Sequence, residues 1–441
     1  MNDSHRSPPA NGPAAIIPPS GPALTIVEGH GSIVKDSDGR SYIDLEAGPG
    51  VSSVGHCHPR VVSAIRDQAG KLIHSPGAYA SDLSASLVQR LSNLTGGHLN
   101  RTFFCNSGAE ANDGAVKLAL KYSLNSGKQG FGIFALEHSF HGRLSLPLSL
   151  TGMAERKKGF GPYASFPAVI HVPAPYCYRC PLKLQPKDCG IACADVVEER
   201  MKTAVPGEAA VMIAEPILGA GGIIIPPKAY WTKISQICKR YKVTLILDEV
   251  FTGFGRTGKM FAHEHYETSP NIMTFAKAIG GGTPFAGFTA QEAVGDAFEK
   301  GDHNSTFGVR NQIGLAAAHA VLDILEDEKL VDGATRQGKR FMAGLRKIAE
   351  LHECIGDVRG EGLMIGVELV NDPSKRDPAT VLARKIPAEM AKRGVLMQPT
   401  GVDNNILRIT PPLVITDKEV DAVLDRFDDC LTKLSESVIV S

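Results

Sequence analysis

The stretch VTLILDEVFTGFGRTG, residues 243–258, followed by MTFAKAIGGGTP at 273–284, decides the reading of the fold. Residues 243–247 form an apolar run rich in β-branched side chains with no polar alternation. That is the pattern of a strand buried on both faces in a parallel sheet. It ends in two acids, Asp248 and Glu249, at the carboxyl end of a strand, where an open α/β sheet delivers functional groups to a crevice. Lys277 follows, flanked by small and apolar residues and then by Gly280, Gly281 and Gly282, which let backbone approach closely.

Taken singly these residues have plain explanations. A strand-end aspartate usually caps a turn, and most lysines are solvated surface charges. Together, in a glycine-rich setting, they match what pyridoxal 5′-phosphate requires. An amine holds the cofactor as a Schiff base, and a carboxylate keeps the pyridine nitrogen protonated so that the ring accepts electrons. Upstream, FFCNSGAEANDGAVKLALKYS (103–123) carries an S-x-x-E capping box in Ser107 and Glu110, so a helix is expected to start at Gly108. Its free N–H groups make a phosphate site, and Gly108 and Ala109 are small enough for an anion to reach the backbone. Alone this signal is weak, because most capping boxes bind nothing.

In order and spacing, NSGAEAND (106–113), EHSFHGR (137–143), AEPILGAGG (214–222), LDEVFTGFGRTG, TFAKAIGGGTP and NSTFG (304–308) form one set. The chain resembles the class III pyridoxal-phosphate aminotransferases of fold type I, from GSIVKDSDGRSYIDLEAG (31–48) to RITPPLVIT (408–416). These include 4-aminobutyrate, ornithine and alanine–glyoxylate transaminases, with dialkylglycine decarboxylase a close relative. The resemblance implies an α/β fold: a large domain with a mostly parallel sheet and a smaller α+β domain formed by the chain termini. It implies that Lys277 bonds the cofactor and later moves the substrate proton, and that Asp248 pairs with the pyridinium nitrogen. Ser107, Gly108 and Ala109 would hold the phosphate, Phe140 and Val250 would cover the two ring faces, and Glu215 would stand near the ring. Thr306 would reach the phosphate of a neighbouring subunit's cofactor, making a homodimer part of the site. Arg408 would clamp a substrate carboxylate as a bidentate donor; its plain alternative is a surface salt bridge.

Three departures from the family narrow the expectation. Many members that handle distal amines carry a glutamate five residues after the first acid of the EP pair, where it neutralises the carboxylate-binding arginine. Here that position is Ala220, so nothing local is expected to switch Arg408 off. This favours an α-amino acid donor with an α-keto acid acceptor. The decarboxylase has a glutamine where EAGPGVSSVGHCHP (46–59) places Pro49, which offers no side-chain donor. Phe251 replaces a glutamine that many members use to reach the cofactor phenol oxygen, making the pocket more apolar.

The expected activity is therefore a ping-pong aminotransferase, with a racemase or epimerase, or a decarboxylation-coupled transaminase, as alternatives on the same scaffold. A non-catalytic binding protein is the reading from another class, and retention of Lys277, Asp248, the phosphate loop and Arg408 speaks against it. The 441 residues can bury a large core. With 47 basic against 47 acidic residues, nothing points to a nucleic-acid or membrane partner. No apolar run approaches the roughly 20 residues that span a bilayer, and the N-terminus lacks a secretory pattern, so a cytoplasmic location is expected.

Residues 1–22, rich in Pro, Ser, Ala and Gly, read as a mobile tail. Residues 23–70 are assigned to the small domain, 71–330 to the large cofactor domain and 331–441 to the rest of the small domain. A hairpin is expected in 32–45, turning at Asp38-Gly39, a helix over 337–351 and a strand over 363–369. Four of nine cysteines cluster in PYCYRCPLKLQPKDCGIAC (175–193): Cys177, Cys180, Cys189 and Cys193. Such spacing can hold zinc and staple a loop, although the family chemistry needs no metal and buried reduced cysteines are common. His56-Cys57-His58 reads as a turn near the site.

Overall fold

The computed structural model describes residues 24–76, 79–205 and 207–439, with side chains to 435. The expected N-terminal tail lies outside them. The centre is a seven-stranded sheet in the order Arg101–Cys105, Ala286–Ala290, Ile272–Phe275, Thr244–Asp248, Ala209–Ala214, Gly132–Leu136, Val169–Val172. Only Ala286–Ala290 runs against its neighbours; the other pairings are parallel.

The apolar runs sit where an absence of alternation requires. Every residue of Gly132–Leu136, Ala209–Ala214 and Thr244–Asp248 is buried, because helices cover both faces. Val211, Ile213 and Ile246 face one core with Ala115, Val116 and Ala119 of the helix Gly108–Asn125. Met212, Leu245 and Leu247 face the other, against Trp231, Ile234 and Ile237 of the helix Lys228–Arg240. Successive side chains thus serve opposite layers, and each fully buried aliphatic or aromatic side chain contributes about 1.5–3 kcal/mol.

An early and a late stretch of the described residues meet beside this sheet. Strands Ile33–Asp36 and Ser41–Asp44 form the expected hairpin, with Gly39 at φ +80° in its turn. Ser41–Asp44 then pairs in parallel with Val395–Leu396, more than 350 positions later. The helix Leu330–Leu351 includes the expected 337–351 segment and leads to the sheet Ile355–Glu361, Met364–Asp372, Ile406–Ile409, Gln398–Thr400. Leu45 donates its N–H to the Leu396 carbonyl (2.9 Å) and accepts from the Thr410 N–H (2.8 Å). These bonds hold residues 45–47 alongside the end of Ile406–Ile409.

Candidate active site

A cleft of about 900 Å³ opens beyond the carboxyl ends of the parallel strands. Gly108, Ala109, Asn112, Phe140, Glu215, Asp248, Val250, Lys277 and Arg408 all line it. The sheet puts them together: Asp248 closes the strand Thr244–Asp248, Glu215 follows Ala209–Ala214, and Lys277 lies just after Ile272–Phe275.

Asp248 is buried, with both oxygens engaged and one acceptor site of Oδ1 left over. Its Oδ2 accepts from Asn112 Nδ2 (2.7 Å) and meets His141 Nδ1 (2.8 Å), and its Oδ1 accepts from the Val250 N–H (3.0 Å). Asn112 is fixed in turn by Thr274 Oγ1 (2.7 Å) and the His141 carbonyl (2.8 Å). A buried carboxylate needs such partners, and these aim it at the cleft. Neither Asn112 nor His141 was singled out from the sequence. The signal was present, since both stand inside the motifs 106–113 and 137–143, and Asn112 is a polar residue on the buried face of a helix. Of the two strand-end acids only Asp248 serves the cleft. Glu249 caps the following loop, accepting from the Ala262 N–H (3.0 Å) and the His263 N–H (2.9 Å).

Glu215 accepts from the Phe140 N–H (2.9 Å) and the Gly219 N–H (2.9 Å). Burial, opposed by His141 and reinforced by Asp248, pushes its carboxyl up to about 7. Lys277 sits at φ +50°, a left-handed conformation costly for a non-glycine residue. Its Nζ stands 4.0 Å from the Phe251 ring centroid. Burial, with Arg408 adding to it, pushes the amine down to about 8. Phe251 is held tightly, since a Cβ on Gly219 would lie 2.3 Å from its Cδ1. Phe251 thus places an apolar ring beside Lys277 and Arg408.

At the opposite end the helix Gly108–Asn125 starts at the expected position. Ser107 Oγ accepts from the Glu110 N–H (3.3 Å), and Glu110 Oε2 accepts from the Asn106 N–H (2.9 Å). A Cβ on Gly108 would meet Val250 Cγ1 at 2.8 Å, so glycine brings the helix start against the side chain expected at a ring face. A helix N-terminus, a buried carboxylate and a buried amine around one cavity of this size fit the phosphate, ring nitrogen and aldehyde of the cofactor.

Thr306 lies outside this cleft, exposed on an irregular segment. Arg408 is at the cleft, its Cζ 5.8 Å from the Phe251 centroid. Its surroundings correct one expectation: Arg408 Nη2 pairs with Glu46 Oε1 at 2.7 Å. An acid does neutralise Arg408, and it comes from the N-terminal segment. It escaped the sequence reading because 362 positions separate the partners. Pro49 lines the cleft as well.

The other candidates disperse. His56 Nε2 meets Asp44 Oδ2 (2.8 Å), whereas His58 Nε2 turns to Glu328 (3.0 Å). Cys177, Cys180, Cys189 and Cys193 line one small apolar pocket with free thiols. Among the described residues no three Cys, His, Asp or Glu side chains are gathered around a metal position. The segment is held by ions instead: Tyr176 and Arg179 bond Glu368, which also pairs with Arg359 (2.7 Å).

The family model for aminotransferase class III matches residues 17–431. An acetylornithine aminotransferase of Methanothermobacter thermautotrophicus is 41% identical, over 91% of this chain and 92% of that one. A probable 4-aminobutyrate aminotransferase of Bacillus subtilis is 35% identical, over 89% of each. Among solved structures, an amine transaminase from an uncultivated Pseudomonas species in its PLP-bound form superposes with a TM-score of 0.88 at 29% identity. It covers 98% of this chain and 100% of that one.

Proposed function

The chain belongs to the class III aminotransferases, pyridoxal-phosphate-dependent enzymes, and from that premise we propose that it moves an amino group from a carboxylate-bearing amino acid to an α-keto acid in a ping-pong cycle. The observation that carries this reading is the placement of Lys277 and Arg408 over one phenyl ring, Nζ at 4.0 Å and Cζ at 5.8 Å from the Phe251 centroid. A donor carboxylate on Arg408 brings the carbon bearing its amine toward the lysine.

The cofactor, when bound, supplies the electron sink that makes that carbon acidic. Ser107, Gly108 and Ala109 at the helix start would hold its phosphate, Asp248 would pair with its ring nitrogen, and Phe140 and Val250 would cover the ring. Lys277 would hold it at rest through Nζ, and the same Nζ would serve as the base for the proton on the substrate carbon. An amine pushed down to about 8 by burial loses its proton nearer to neutral pH than an ordinary lysine does, which suits a base. Glu215, close enough to Asp248 to feel its charge, holds the loop bearing Phe140 by accepting the Phe140 N–H.

The racemase and decarboxylation-coupled alternatives are not favoured. The relatives are named as aminotransferases, and Pro49 brings no side-chain donor to the cleft. A homodimer sharing its sites fits the surface beside Thr306. Ile73 (61% exposed) and Phe307 (55% exposed) lie on segments tied by Ser75 N–H to the Arg310 carbonyl (3.0 Å), an apolar face that a second subunit would cover. A cytoplasmic location accords with nine free thiols, and among the described residues no helix is long and apolar enough to cross a membrane.

The test is the cofactor absorbance on adding each amino acid singly, with products identified by mass. Loss of the band with formation of the keto acid is the expected result. A persistent band while solvent deuterium enters the α-carbon would overturn the reading in favour of a racemase.

A further inference from the structure

We infer that Glu46 is a displaceable carboxylate gate on Arg408, a specificity residue that lets one site accept substrates with and without a carboxylate at the reacting carbon. The inference rests on Arg408 being the substrate-carboxylate site, as proposed above.

The pairing has the form of a placeholder. Glu46 Oε1 touches Nη2 alone (2.7 Å), although a guanidinium and a carboxylate can make two parallel bonds. Arg408 Nε is buried with no hydrogen-bond partner among the described residues. The side chain is only 12% exposed, so Arg408 leaves donor capacity unused in a place where water gives little help. A free carboxylate in the cleft could take two donors where Glu46 takes one.

The backbone beneath Glu46 is firmly set, whereas its head group is not. Asp44 Oδ1 accepts from the Glu46 N–H (2.8 Å), and Asp44 Oδ2 accepts from the Ala47 N–H (3.1 Å) and meets His56 (2.8 Å). Ala47 and Gly48 both sit at positive φ, so the turn after Glu46 is specified sharply. Beyond this base, the single described hydrogen bond of the Glu46 carboxylate is the one to Arg408. Burial raises the Glu46 carboxyl against the lowering by Arg408, so the environment does not favour a deeply held charge there.

Exchange of one carboxylate for another keeps Arg408 paired throughout. An α-amino or α-keto acid displaces Glu46 and gains the second donor. An amine with no carboxylate at the reacting carbon, such as 4-aminobutyrate, leaves Glu46 in place, so Arg408 is never a buried unpaired charge. Ala220 then needs no acid, because the N-terminal segment supplies one.

The test titrates the cofactor-loaded enzyme with propionate by calorimetry and measures half-reaction rates with L-alanine and ethylamine, which share a skeleton apart from the carboxylate. Glu46→Gln is expected to bind propionate about tenfold tighter and to react with ethylamine about tenfold more slowly, opposite shifts that general damage would not produce. Glu46→Asp keeps the charge one methylene short and should fall between; if Glu46→Gln fails to load cofactor, a wild-type propionate affinity in Glu46→Asp overturns the gate. Unchanged propionate affinity in Glu46→Gln, with binding lost in Arg408→Gln, overturns the gate alone. Unchanged binding in Arg408→Gln overturns the carboxylate site itself, and the gate with it.

Discussion

At one end of the cleft the Asp248 carboxylate receives Asn112, His141 and the Val250 N–H, each from a different segment around the central sheet. At the other, Arg408 meets a single carboxylate oxygen and keeps a buried nitrogen without a partner. The first end is over-determined, so its groups cannot move without breaking several bonds at once. The second is under-determined and can exchange partners. Chemistry common to every turnover belongs where geometry is locked, and choice among substrates belongs where it is not.

Variants of the groups that every turnover uses should therefore cost most. Lys277→Ala is expected to lower kcat by at least about 10⁴-fold in single-turnover assays, and turnover near the wild-type rate would sink the assignment. Its apoprotein should be no less stable at neutral pH. The folded value near 8 lies below the ordinary 10.5, so burying this amine opposes folding below about pH 8, and the opposition fades as pH climbs to 10.5. Wild-type melting temperatures should gain on those of the variant across that interval.

Asp248→Asn should lower kcat/KM by about 10²–10³-fold without unfolding the protein. A loss below tenfold would mean that the three bonds to Asp248 serve packing and not the cofactor. Glu215→Gln is smaller and visible in stability. The folded carboxyl titrates near 7 against an ordinary 4.5, so its contribution is full below about pH 4.5 and is lost as pH rises through 7. Apoprotein melts of Glu215→Gln should be flatter over that window, by at most ~1.4 kcal/mol per pH unit. Equal slopes in both proteins would show that Glu215 is already ionised there.

Phe251→Leu should change kcat by less than about thirtyfold, since the ring's hold on an ammonium is worth ~0.5–2 kcal/mol. A loss as large as that of Asp248→Asn would extend the locked end across the pocket floor.

Local sequence by itself determined the buried strand ending at Asp248, the helix start at Gly108 and the hairpin at Asp38-Gly39, because hydrophobic period, capping chemistry and turn residues act within a few positions. Motif order added the roles expected of Lys277, Asp248 and Glu215. Asn112 and His141 lay inside those motifs, yet only their convergence on Asp248 Oδ2 revealed their part. Motif order separated Asp248 from Glu249, and the structure gave the physical reason: the strand's end turns one into the cleft and gives the other to the 261–263 loop. Ala220 suggested an arginine without a counter-charge, and the parallel pairing of Ser41–Asp44 with Val395–Leu396 supplied one in Glu46. Contacts closed over hundreds of residues are set by the packing of whole elements, and no spacing along the chain encodes them.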